Sequence, residues 1–460
     1  MSEKNHKLKC GDILEIIPEK LVYEGSAIAK IDGFPIFVDD ACPGDKLKVR
    51  ITKANKNFAQ AEIVEILEPS PERVKPFCPI HNVCGGCGWQ FIDYDFQLEQ
   101  KQNIVYETVK KITSEDIEVK PVLKSPQTRE YRSKIQYPVS QTKVSKRILA
   151  GYYKKGSHEL VNVKFCPIQP KIIDKITEFI RKIAQELEIQ GYNEKLHKGE
   201  LRHIVYRFSK SENECIVIFV VNNTKLNDKF KKLSKKVMAE FAHVKGCLIN
   251  YNTSRSNLIM TDDTRKIQGE NYVIEKMDGK SFKISANSFF QVNIGSAQNI
   301  FNTVKEIIEK NYKNPRILDA YSGVSSFGIW LADIASEVVS VEEAPSATKD
   351  AAQNIELNNI TNLTALNGDA KKIFETLIAQ GEQFDVTLLD PPRKGCEKES
   401  LDFAVKLSKK AIIYVSCNPS TLARDLKYLH EHGFKTKYIQ PVDMFCHSYH
   451  IESVAWLERV

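Results

Sequence analysis

Long hydrophobic runs are missing from this chain of 460 residues. Its longest uninterrupted stretch of aliphatic and aromatic residues, Ile216 to Val221, is far shorter than the roughly 20 apolar residues that cross a bilayer. The opening stretch, Met1 to Asp12, is polar and contains no apolar signal-peptide segment. These absences argue against a membrane-embedded or secreted protein, and we therefore expect a cytoplasmic one.

Internal repeats and low-complexity tracts are absent as well, whereas cysteine is present in an odd number, eleven. In a chain without a secretion signal, this number favours reduced thiols over a disulfide scaffold. We therefore expect some of these cysteines to act as metal ligands or as a nucleophile.

A chain of this length is larger than one hydrophobic core usually supports, and its pattern predicts three domains. Residues 1–67 contain five short predicted strands separated by turns, which suggests an OB-like β-barrel of a kind that often binds oligonucleotides. Residues 68–281 combine strands with predicted helices at 93–112 and 172–187 and form an α+β domain. Residues 282–460 have the βαβ rhythm of a Rossmann-like, doubly wound α/β sheet. Its predicted strands are 316–320, 338–342, 363–367, 385–390, 411–416 and 453–457.

Glycine is sparse in the last domain where a dinucleotide fingerprint would need it. Asp319 ends the first strand and is followed by a turn with Gly323, but Ser325 and Ser326 stand where further glycines are expected. Glu342 ends the second strand about twenty residues later, where an acidic side chain accepts hydrogen bonds from ribose hydroxyls. The turn therefore suits S-adenosylmethionine, which has no pyrophosphate, better than NAD.

A thiol and further carboxylates lie at other strand ends of the same domain. Asp369 follows the third strand, Asp390 ends the fourth, and Cys417 comes directly after the apolar run 411–415. Glu452 immediately precedes the last strand. Because open α/β sheets bind their ligands at the carboxyl ends of the strands, these side chains form a candidate active site.

A second group of cysteines lies in the central region. Cys78, Cys84 and Cys87 have the spacing C-x5-C-x2-C, and Cys166 follows much later. Three closely spaced thiols and one distant thiol can supply the four ligands of an iron–sulfur cluster or of a zinc ion. The spacing alone leaves both alternatives open.

Positive charge is concentrated between Lys120 and Cys166, where eleven Lys or Arg accompany two Glu. The aromatic residues interleaved with these cations are Tyr131, Tyr137, Tyr152 and Tyr153. Cations and base-stacking aromatics together are typical of surfaces that bind single-stranded nucleic acid, although a solvated basic face is the alternative. In the barrel, phosphate contacts are expected from Lys46, Lys48, Arg50, Lys53 and Lys56.

Over nearly its whole length the chain resembles the bacterial RNA uracil-5-methyltransferases, in particular the 23S ribosomal RNA enzymes with an N-terminal TRAM domain and an iron–sulfur centre. The four cysteines above carry this resemblance together with several motifs. The motifs are Phe289-Phe290-Gln291-Val292-Asn293, Leu389-Asp390-Pro391-Pro392-Arg393, the run from Val415 to Asp425, and His450-Ile451-Glu452. The resemblance implies that the cysteines bind a [4Fe-4S] cluster.

The resemblance also implies a role for each matching residue. The residues that correspond to S-adenosylmethionine contacts are Gln291, Tyr321, Ser326, Glu342, Asp369 and Asp390. Cys417 corresponds to the nucleophile and Glu452 to the general base. The chain departs from the family at Ser322, Ser325 and Ser326, where cysteine or glycine-rich turns are commoner.

The implied reaction explains why a thiol and a base are needed. Carbon 5 of uracil is a weak nucleophile, but addition of a Cys417 thiolate at carbon 6 makes it reactive towards a sulfonium methyl group. The carbon 5 proton must then be removed by a base such as Glu452 before the thiol can leave. The target uridine has to be unstacked, so base flipping or a single-stranded loop is implied.

We therefore expect methyl transfer to carbon 5 of a specific uridine in 23S ribosomal RNA by a monomeric enzyme. One alternative is the same reaction on the transfer RNA T-loop; the barrel and the cysteine cluster favour ribosomal RNA, because the family's transfer RNA enzymes usually lack both. Another alternative is a non-catalytic RNA-binding or ribosome-assembly protein that retains the fold, against which the intact Cys417, Asp390 and Glu452 argue.

Overall fold

The computed structural model of the protein describes residues 8–460. The first seven residues of the predicted barrel, and of the polar stretch Met1 to Asp12, lie outside the described residues. Along the described chain, every helix is either too short or too polar to span a bilayer.

The N-terminal sheet has six strands in the order β1-β5-β6-β4-β3-β2. They are β1 Ile13–Ile16, β2 Lys20–Leu21, β3 Ala27–Ile31, β4 Phe34–Val38, β5 Lys46–Ala54 and β6 Ala59–Glu68. Since β1 also contacts β3 near the opposite edge, the sheet curls into a small barrel around buried side chains such as Ile36, Leu47 and Val49. Strand β2 was not predicted, because two residues are too few to show an alternating pattern.

Helix α1, Tyr94–Thr113, follows the barrel and begins after Asp93, whose side chain accepts hydrogen bonds from two backbone amides of the first turn. The central sheet comes next, in the order β13-β12-β11-β10-β7-β8-β9. Its strands are β7 Lys134–Gln141, β8 Ile148–Tyr153, β9 Leu160–Asn162, β10 Leu201–Ser209, β11 Glu214–Val221, β12 Val244–Tyr251 and β13 Thr264–Gly269. Helices α2, Lys171–Glu186, and α3, Asp228–Glu240, pack on one of its faces.

A hairpin of β14, Tyr272–Met277, and β15, Lys280–Ser285, connects the central sheet to the C-terminal one. The predicted domain boundary between residues 281 and 282 falls inside β15. The central sheet and the hairpin share one hydrophobic cluster, in which Val205 of the sheet and Phe282 of the hairpin are both buried.

The C-terminal sheet has the order β18-β17-β16-β19-β20-β22-β21. Its strands are β16 Arg316–Ala320, β17 Glu337–Glu342, β18 Leu363–Asn367, β19 Phe384–Leu389, β20 Ser408–Ser416, β21 Phe434–Val442 and β22 Glu452–Arg459. Its helices are α4 Ile294–Asn311, α5 Ser326–Leu331, α6 Pro345–Leu357, α7 Ala370–Ala379, α8 Lys398–Leu407 and α9 Pro419–Glu431. The first five strands in spatial order are parallel, and β22 runs antiparallel to both of its neighbours, as expected for a doubly wound sheet with a reversed strand at one side.

Helix α1 packs mainly against α9 of the C-terminal domain, while Tyr94 at its start contacts the core of the central domain. Its buried residues Ile104, Val105 and Val109 belong to the same hydrophobic cluster as the barrel interior and one face of the C-terminal sheet. The residues between 68 and 281 are therefore divided between two packing units.

Candidate active site

The turn between β16 and α5 has the geometry of a ligand-binding loop. Tyr321, Gly323 and Ser325 all adopt the left-handed conformation, with φ of 60°, 57° and 57°. This conformation is unfavourable for residues with a side chain, so the strain is concentrated at one turn, where strained backbone often serves a binding site. Gly328 lies one helical turn further on, where a Cβ atom would stand 2.4 Å from Leu363, so only glycine allows α5 to approach the sheet this closely.

Asp319 is completely buried beneath this turn. Its Oδ2 accepts hydrogen bonds from the Gly328 amide at 3.0 Å and the Ser340 hydroxyl at 3.1 Å, whereas its Oδ1 is buried without a partner in residues 8–460. Burial raises the pKa of Asp319 to about 7. A buried polar atom without a partner is costly, so the residues at this turn fit a polar ligand such as S-adenosylmethionine.

Glu342 at the end of β17 fixes the turn from the other side. Its Oε2 accepts a hydrogen bond from the Gly323 amide at 2.9 Å, and its Oε1 accepts one from the Ala344 amide at 2.8 Å. Each carboxylate oxygen has a second lone pair, so the side chain can still accept ribose hydroxyls. This position is compatible with the role predicted from the sequence.

Three other predicted cofactor residues lie before α4, at the start of α5 and before α7. Gln291 lies in the segment before α4, where the neighbouring Phe289 carbonyl is the group nearest to an ideal Cβ on Gly323, at 3.9 Å. Ser326 is the first residue of α5, directly after the strained turn. Asp369 is exposed at the start of α7 and accepts a hydrogen bond from the Lys372 amide at 3.1 Å.

Tyr321 and Asp390 complete the set. The Tyr321 side chain lies half-buried beside Cys396 and Ser400, and burial raises its pKa. Asp390 follows β19, and its amide approaches the Ala320 carbonyl of the adjacent strand at 3.4 Å. Burial and the neighbouring Asp319 carboxyl raise the pKa of Asp390 to about 7.

Cys417 and Glu452 are brought together by adjacent strands. Strand β20 ends at Ser416, which pairs with Ser453 of β22 in the antiparallel register, so the next residues in each direction are Cys417 and Glu452. Burial raises the pKa of the Cys417 thiol to about 11, and the nearby Glu452 and Asp390 carboxylates act in the same direction. The thiol and the carboxyl therefore lie close together where β20 ends and β22 begins.

Glu452 is only 7% exposed. Burial, followed by the Asp390 carboxylate, raises its pKa to about 8, and the Arg393 guanidinium opposes this shift. A carboxyl whose pKa lies near neutrality can accept and release a proton during a reaction, as a general base must.

Arg393 and Asp319 were not assigned roles from the sequence. The Arg393 guanidinium lowers the pKa values of both Cys417 and Glu452, so it is the nearby cation that favours their charged forms. The sequence contained one signal for this role of Arg393. The residue directly follows Asp390-Pro391-Pro392, a motif that ends the strand beside the one that leads to Cys417. Asp319 was recognised as a strand end but not as the buried acceptor of the cofactor turn.

The four predicted metal ligands line one cavity of about 260 Å³, which Arg393 and His450 also line. The cysteines are Cys78, Cys84, Cys87 and Cys166, and all are free thiols. Burial raises the pKa of Cys87 to about 11 and that of Cys166 to about 12. Within residues 8–460, however, no group of three or more His, Cys, Asp or Glu side chains is arranged to hold a metal ion.

The structure corrects part of the predicted RNA surface. Tyr131 and Tyr137 are only 5% and 1% exposed, and the Tyr131 hydroxyl donates to the Cys446 carbonyl at 3.3 Å. These two side chains belong to the core of the central domain, so the prediction that they stack on bases is wrong. Tyr152 and Tyr153 remain partly exposed.

The barrel cations differ in their availability. Lys46 pairs with Glu68 at 3.3 Å and Arg50 pairs with Glu62 at 3.1 Å. Lys53 and Lys56 are exposed and form no ion pair with any described residue, while Lys48 is half-buried. These pairs on the surface are weak and do not prevent the cations from contacting phosphate.

Comparisons with known proteins identify the class of molecule. The profile of the family described as tRNA (uracil-5-)-methyltransferase matches residues 93–460, and that of the TRAM domain matches residues 7–64. An RNA methyltransferase of Halalkalibacterium halodurans is 37% identical over 100% of this chain and 99% of its own length. One of Oceanobacillus iheyensis is also 37% identical, over 99% of both chains.

A solved structure extends this likeness to the whole fold. The Pyrococcus abyssi tRNA (uracil-54, C5)-methyltransferase in complex with S-adenosyl-L-homocysteine superimposes with a TM-score of 0.76. It is 27% identical and covers 96% of this chain and 100% of its own. A coverage of 96% of this chain includes most of the barrel, so the likeness is not confined to the catalytic domain.

The fold, the strained turn and these relatives define an S-adenosylmethionine-dependent RNA methyltransferase with an RNA-binding TRAM domain. The chain belongs to the tRNA (uracil-5-)-methyltransferase family.

Proposed function

We propose that the protein transfers a methyl group to carbon 5 of a uridine in 23S ribosomal RNA through a covalent bond between Cys417 and carbon 6 of the base. The observation that carries this proposal is the position of Cys417 beside Glu452 at the ends of two paired strands. Methylation of an exocyclic amine would need neither the thiol nor a second proton acceptor at this place.

Each step has a residue to perform it. The Cys417 thiolate forms a bond to carbon 6, and the electron pair displaced from the carbon 5–carbon 6 double bond gives an enolate. Bound S-adenosylmethionine supplies the methyl group, which carbon 5 takes as a new carbon–carbon bond. Glu452 then removes the carbon 5 proton, the double bond forms again and the Cys417 thiolate leaves. Arg393 favours the thiolate through its positive charge.

The cofactor site in this proposal is the strained turn and its surroundings. Glu342 accepts hydrogen bonds from the ribose, as its position at the end of β17 suggests. The remaining contacts are assigned to Gln291, Tyr321, Ser326, Asp369 and Asp390. Asp319, through its Oδ1 without a partner, is added to this set.

The proposal also includes a [4Fe-4S] cluster bound by the four cysteines. Its support is the single cavity that all four thiols line, together with their spacing in the sequence. Cys78, Cys84, Cys87 and Cys166 would hold the cluster through their thiolates. Methyl transfer needs no electron, and the cluster's role would be to hold the chain around Cys84 and Cys166.

The cluster can be tested by metal analysis of protein purified without oxygen. We expect iron and sulfide with the intact chain and neither with Cys84→Ser, while Cys10→Ser, which changes an exposed thiol outside the cavity, retains both. Zinc in place of iron would contradict the cluster, and full RNA affinity after its removal would contradict the structural role.

The cysteine cavity is what favours 23S ribosomal RNA, because the resemblance to the ribosomal enzymes includes it. The second candidate is the transfer RNA T-loop, which the likeness to the Pyrococcus abyssi enzyme favours. Both candidates use the same chemistry at Cys417.

One experiment tests the mechanism and the substrate. The protein and S-adenosylmethionine are incubated with 5-fluorouridine-substituted 23S fragments or transfer RNA and separated on a denaturing gel. Because fluorine cannot leave as a proton, the covalent complex persists and migrates as a protein–RNA band. We expect this band with 23S fragments, and we expect Cys417→Ala to bind S-adenosylmethionine but to form no band.

The outcomes separate the alternatives. A band with transfer RNA alone would keep the mechanism and replace the substrate. No band with either RNA, or normal methyl transfer by Cys417→Ala, would overturn the mechanism. Cys247→Ala is a matched control, since it removes a buried thiol from β12, remote in sequence from the site.

A further inference from the structure

A large groove crosses the central domain outside the candidate active site. It lies between the β7–β8 hairpin, the segment 191–195, the beginning of β10 and the segment 256–259, and its volume is about 1140 Å³. Small-molecule sites commonly enclose about 300–1,000 Å³. An open groove of this size therefore suits an extended ligand better than a compact one.

The lining of the groove is basic. It contains five cations, Arg132, Lys143, Lys146, Lys195 and Arg202, against two carboxylates, Glu159 and Glu194. One of those carboxylates is already engaged, because Glu194 lies 2.9 Å from the His158 ring nitrogen. Such an excess of positive charge complements a phosphate backbone.

Flat side chains lie among these cations. Tyr153 and His158 are stacked with ring centroids 5.1 Å apart and an interplanar angle of 29°. The Arg202 guanidinium lies over the Tyr192 ring, 4.6 Å from its centroid, but both side chains are buried and Arg202 donates to the Asn252 and Ser254 carbonyls. This pair therefore shapes the floor of the groove, and the Tyr153–His158 pair is the one available for stacking. Aromatic and guanidinium planes beside cations are the means by which proteins bind single-stranded nucleic acid, since every base has a face that can stack.

Three side chains that line the groove, Tyr152, Arg202 and His203, each have a buried polar atom without a hydrogen-bond partner in residues 8–460. Of these, His203 is the one that makes no other side-chain hydrogen bond there and could offer both a donor and an acceptor, one on each ring nitrogen. His203 is 8% exposed, lines the groove, and its Nδ1 is buried with no hydrogen-bond partner in the described chain. Burial and the adjacent Arg202 charge lower its pKa to about 4, so the ring is neutral at physiological pH. A neutral imidazole has one donor and one acceptor, which matches the mixed edge of a nucleobase.

The groove adjoins the cysteine cavity. Arg132 and Tyr152 line both the groove and the cysteine cavity. The cysteine cavity is lined in turn by Arg393, which influences both Cys417 and Glu452. The lining residues Arg132, Tyr152 and Arg393 therefore lead from the groove to the vicinity of Cys417 along the wall of the cavity that is assigned to the cluster.

We propose that this groove binds a single-stranded segment of the substrate RNA adjacent to the modified uridine, and that His203 recognises one of its bases. This inference rests on the proposed function only for the identity of RNA as the substrate. It assigns to the central sheet a site for the strand next to the target, separate from the site for the target itself.

Charge reversal tests the phosphate contacts. Lys143→Glu/Lys146→Glu changes two exposed cations of the groove, and Lys232→Glu/Lys235→Glu changes two exposed cations of α3, on the opposite face of the sheet, by the same charge. The probe is a fluorescein-labelled single-stranded RNA of about 12 nucleotides, within the usual size of single-strand sites. Its affinity is measured by fluorescence anisotropy at several salt concentrations, without S-adenosylmethionine.

We expect the groove variant to bind this RNA at least about tenfold more weakly than the wild type, with the slope of log affinity against log salt smaller by about 1.4 for two lost contacts. The α3 variant should bind within about twofold of the wild type, since it retains the groove. Equal loss in both variants, no loss in the groove variant, or tighter binding of a duplex of the same length would overturn the proposal.

His203→Phe tests base recognition, because it keeps an aromatic ring and removes the hydrogen-bonding nitrogens. We expect the wild type to prefer one of the four homopolymeric 12-mers by about 5–100-fold, and the variant to lose this preference with an unchanged salt dependence. His203→Gln, which retains a donor and an acceptor, should keep part of it and serves if the phenylalanine variant unfolds. Equal binding of all four homopolymers by the wild type would refute the role of His203.

These measurements do not depend on methyl transfer. If the groove variant loses RNA affinity while the fluorouridine experiment gives no adduct, the groove stands and the proposed reaction falls. If the adduct forms and the groove variant binds RNA like the wild type, the reaction stands and the groove proposal falls.

Discussion

The Glu452 carboxyl decides whether the proposed reaction can finish. Glu452→Gln keeps the size and polarity of this buried side chain but cannot take the carbon 5 proton. We expect turnover to fall by about 10²–10⁴-fold, the range that a general base contributes, while a methylated covalent complex with Cys417 accumulates. Single-turnover methyl transfer and a denaturing gel measure both effects. Glu458→Gln, near the other end of β22, is the control and should turn over normally. Normal turnover by Glu452→Gln would contradict the assignment.

The pKa values of Cys417 and Glu452 predict how activity should depend on pH if both act as proposed. Glu452, with a pKa of about 8, is protonated below that pH and becomes a base above it, and Cys417, with a pKa of about 11, gains thiolate in the same direction. The rate should therefore rise with pH, by about tenfold per unit for each group that must lose its proton. Arg393→Gln removes the cation that lowers the pKa of Glu452 as well as that of Cys417. Because Glu452 is fully deprotonated well above pH 8, the loss of activity should be greatest at neutral pH and smaller at alkaline pH. Arg393→Lys should restore much of the rate. A profile that falls between pH 7 and 8 would contradict this order of protonation.

The sequence predicted Cys417, Asp390 and Glu452 as neighbours because strand ends at one edge of an α/β sheet must converge. The prediction that Tyr137 lies on the RNA-binding surface was wrong, although the alternation of side chains along β7 could have excluded it. Side chains of successive strand residues point to opposite faces, so Lys134 and Tyr137, three residues apart, cannot share a face. Counting charges and aromatics over a window ignored this alternation and overestimated the aromatic surface.

Among the elements, helix α1 holds the segment that precedes Glu452 in position. The completely buried Lys101 ammonium donates to Asp443 at 2.6 Å and to the Phe445 carbonyl at 3.2 Å, and the Tyr94 hydroxyl donates to the other Asp443 oxygen at 2.7 Å. These bonds fix the segment that leads from β21 to Glu452. The position of the base thus depends on a helix that lies far away in the sequence.

Lys101→Met should destabilise the protein because it leaves the Asp443 carboxylate buried without its cation. We expect a loss of about 3–5 kcal/mol in the free energy of unfolding, measured by urea denaturation. Asp443→Asn added to this variant should recover part of the loss by removing the charge. Lys124→Met is the control: Lys124 also donates at 2.6 Å, to Asp95, but the pair is exposed, so its removal should cost less than about 1 kcal/mol. Equal effects of the two lysine variants would contradict the importance of burial.

The elements that sequence patterns missed have physical reasons in common. Strand β21 carries Lys435 and Lys437 on its exposed side and Pro441 near its end, so it lacks the apolar run that identified the parallel strands. The β14–β15 hairpin is similarly mixed in polarity. Helix α1 was predicted with nearly correct ends, but its partner α9 follows it by more than 300 residues, and helical periodicity shows which face is apolar without showing what covers it.

At the scale of the whole molecule, hydrophobic packing crosses the predicted domain boundaries. The barrel interior, α1 and one face of the C-terminal sheet form one cluster, and the other face of that sheet is continuous with the central sheet through the β14–β15 hairpin. The barrel is therefore fixed relative to the catalytic domain. Trp89, which is 1% exposed, donates a hydrogen bond to the Gly25 carbonyl of the barrel at 3.1 Å. This bond stabilises the position of the turn after β2.

This fixed turn brings a barrel residue close to Cys417. Tyr23 lies close enough to Arg393 and Cys417 for both to affect its pKa, which burial raises, and its ring meets that of Tyr449 edge-on with centroids 6.1 Å apart. A half-buried aromatic ring at this place can contact the RNA that reaches Cys417, so the barrel would take part in presenting the uridine as well as in binding RNA at a distance.

Tyr23→Ala should therefore raise KM for RNA by about tenfold, while kcat changes little. A tenfold change is near the lower end of the roughly 1–3 kcal/mol that one stacking contact contributes. Tyr23→Phe should retain most of the affinity, because it keeps the ring and loses only the hydroxyl. Phe58→Ala is the control: this ring meets Phe37 in the barrel near the β5–β6 turn, and its loss should lower stability without the selective rise in KM. Steady-state methyl transfer with each variant, together with thermal unfolding, separates the two effects. If Tyr23→Ala lowered kcat with KM unchanged, the residue would instead act on the chemistry at Cys417, and the barrel's part in presenting the RNA would have to be abandoned.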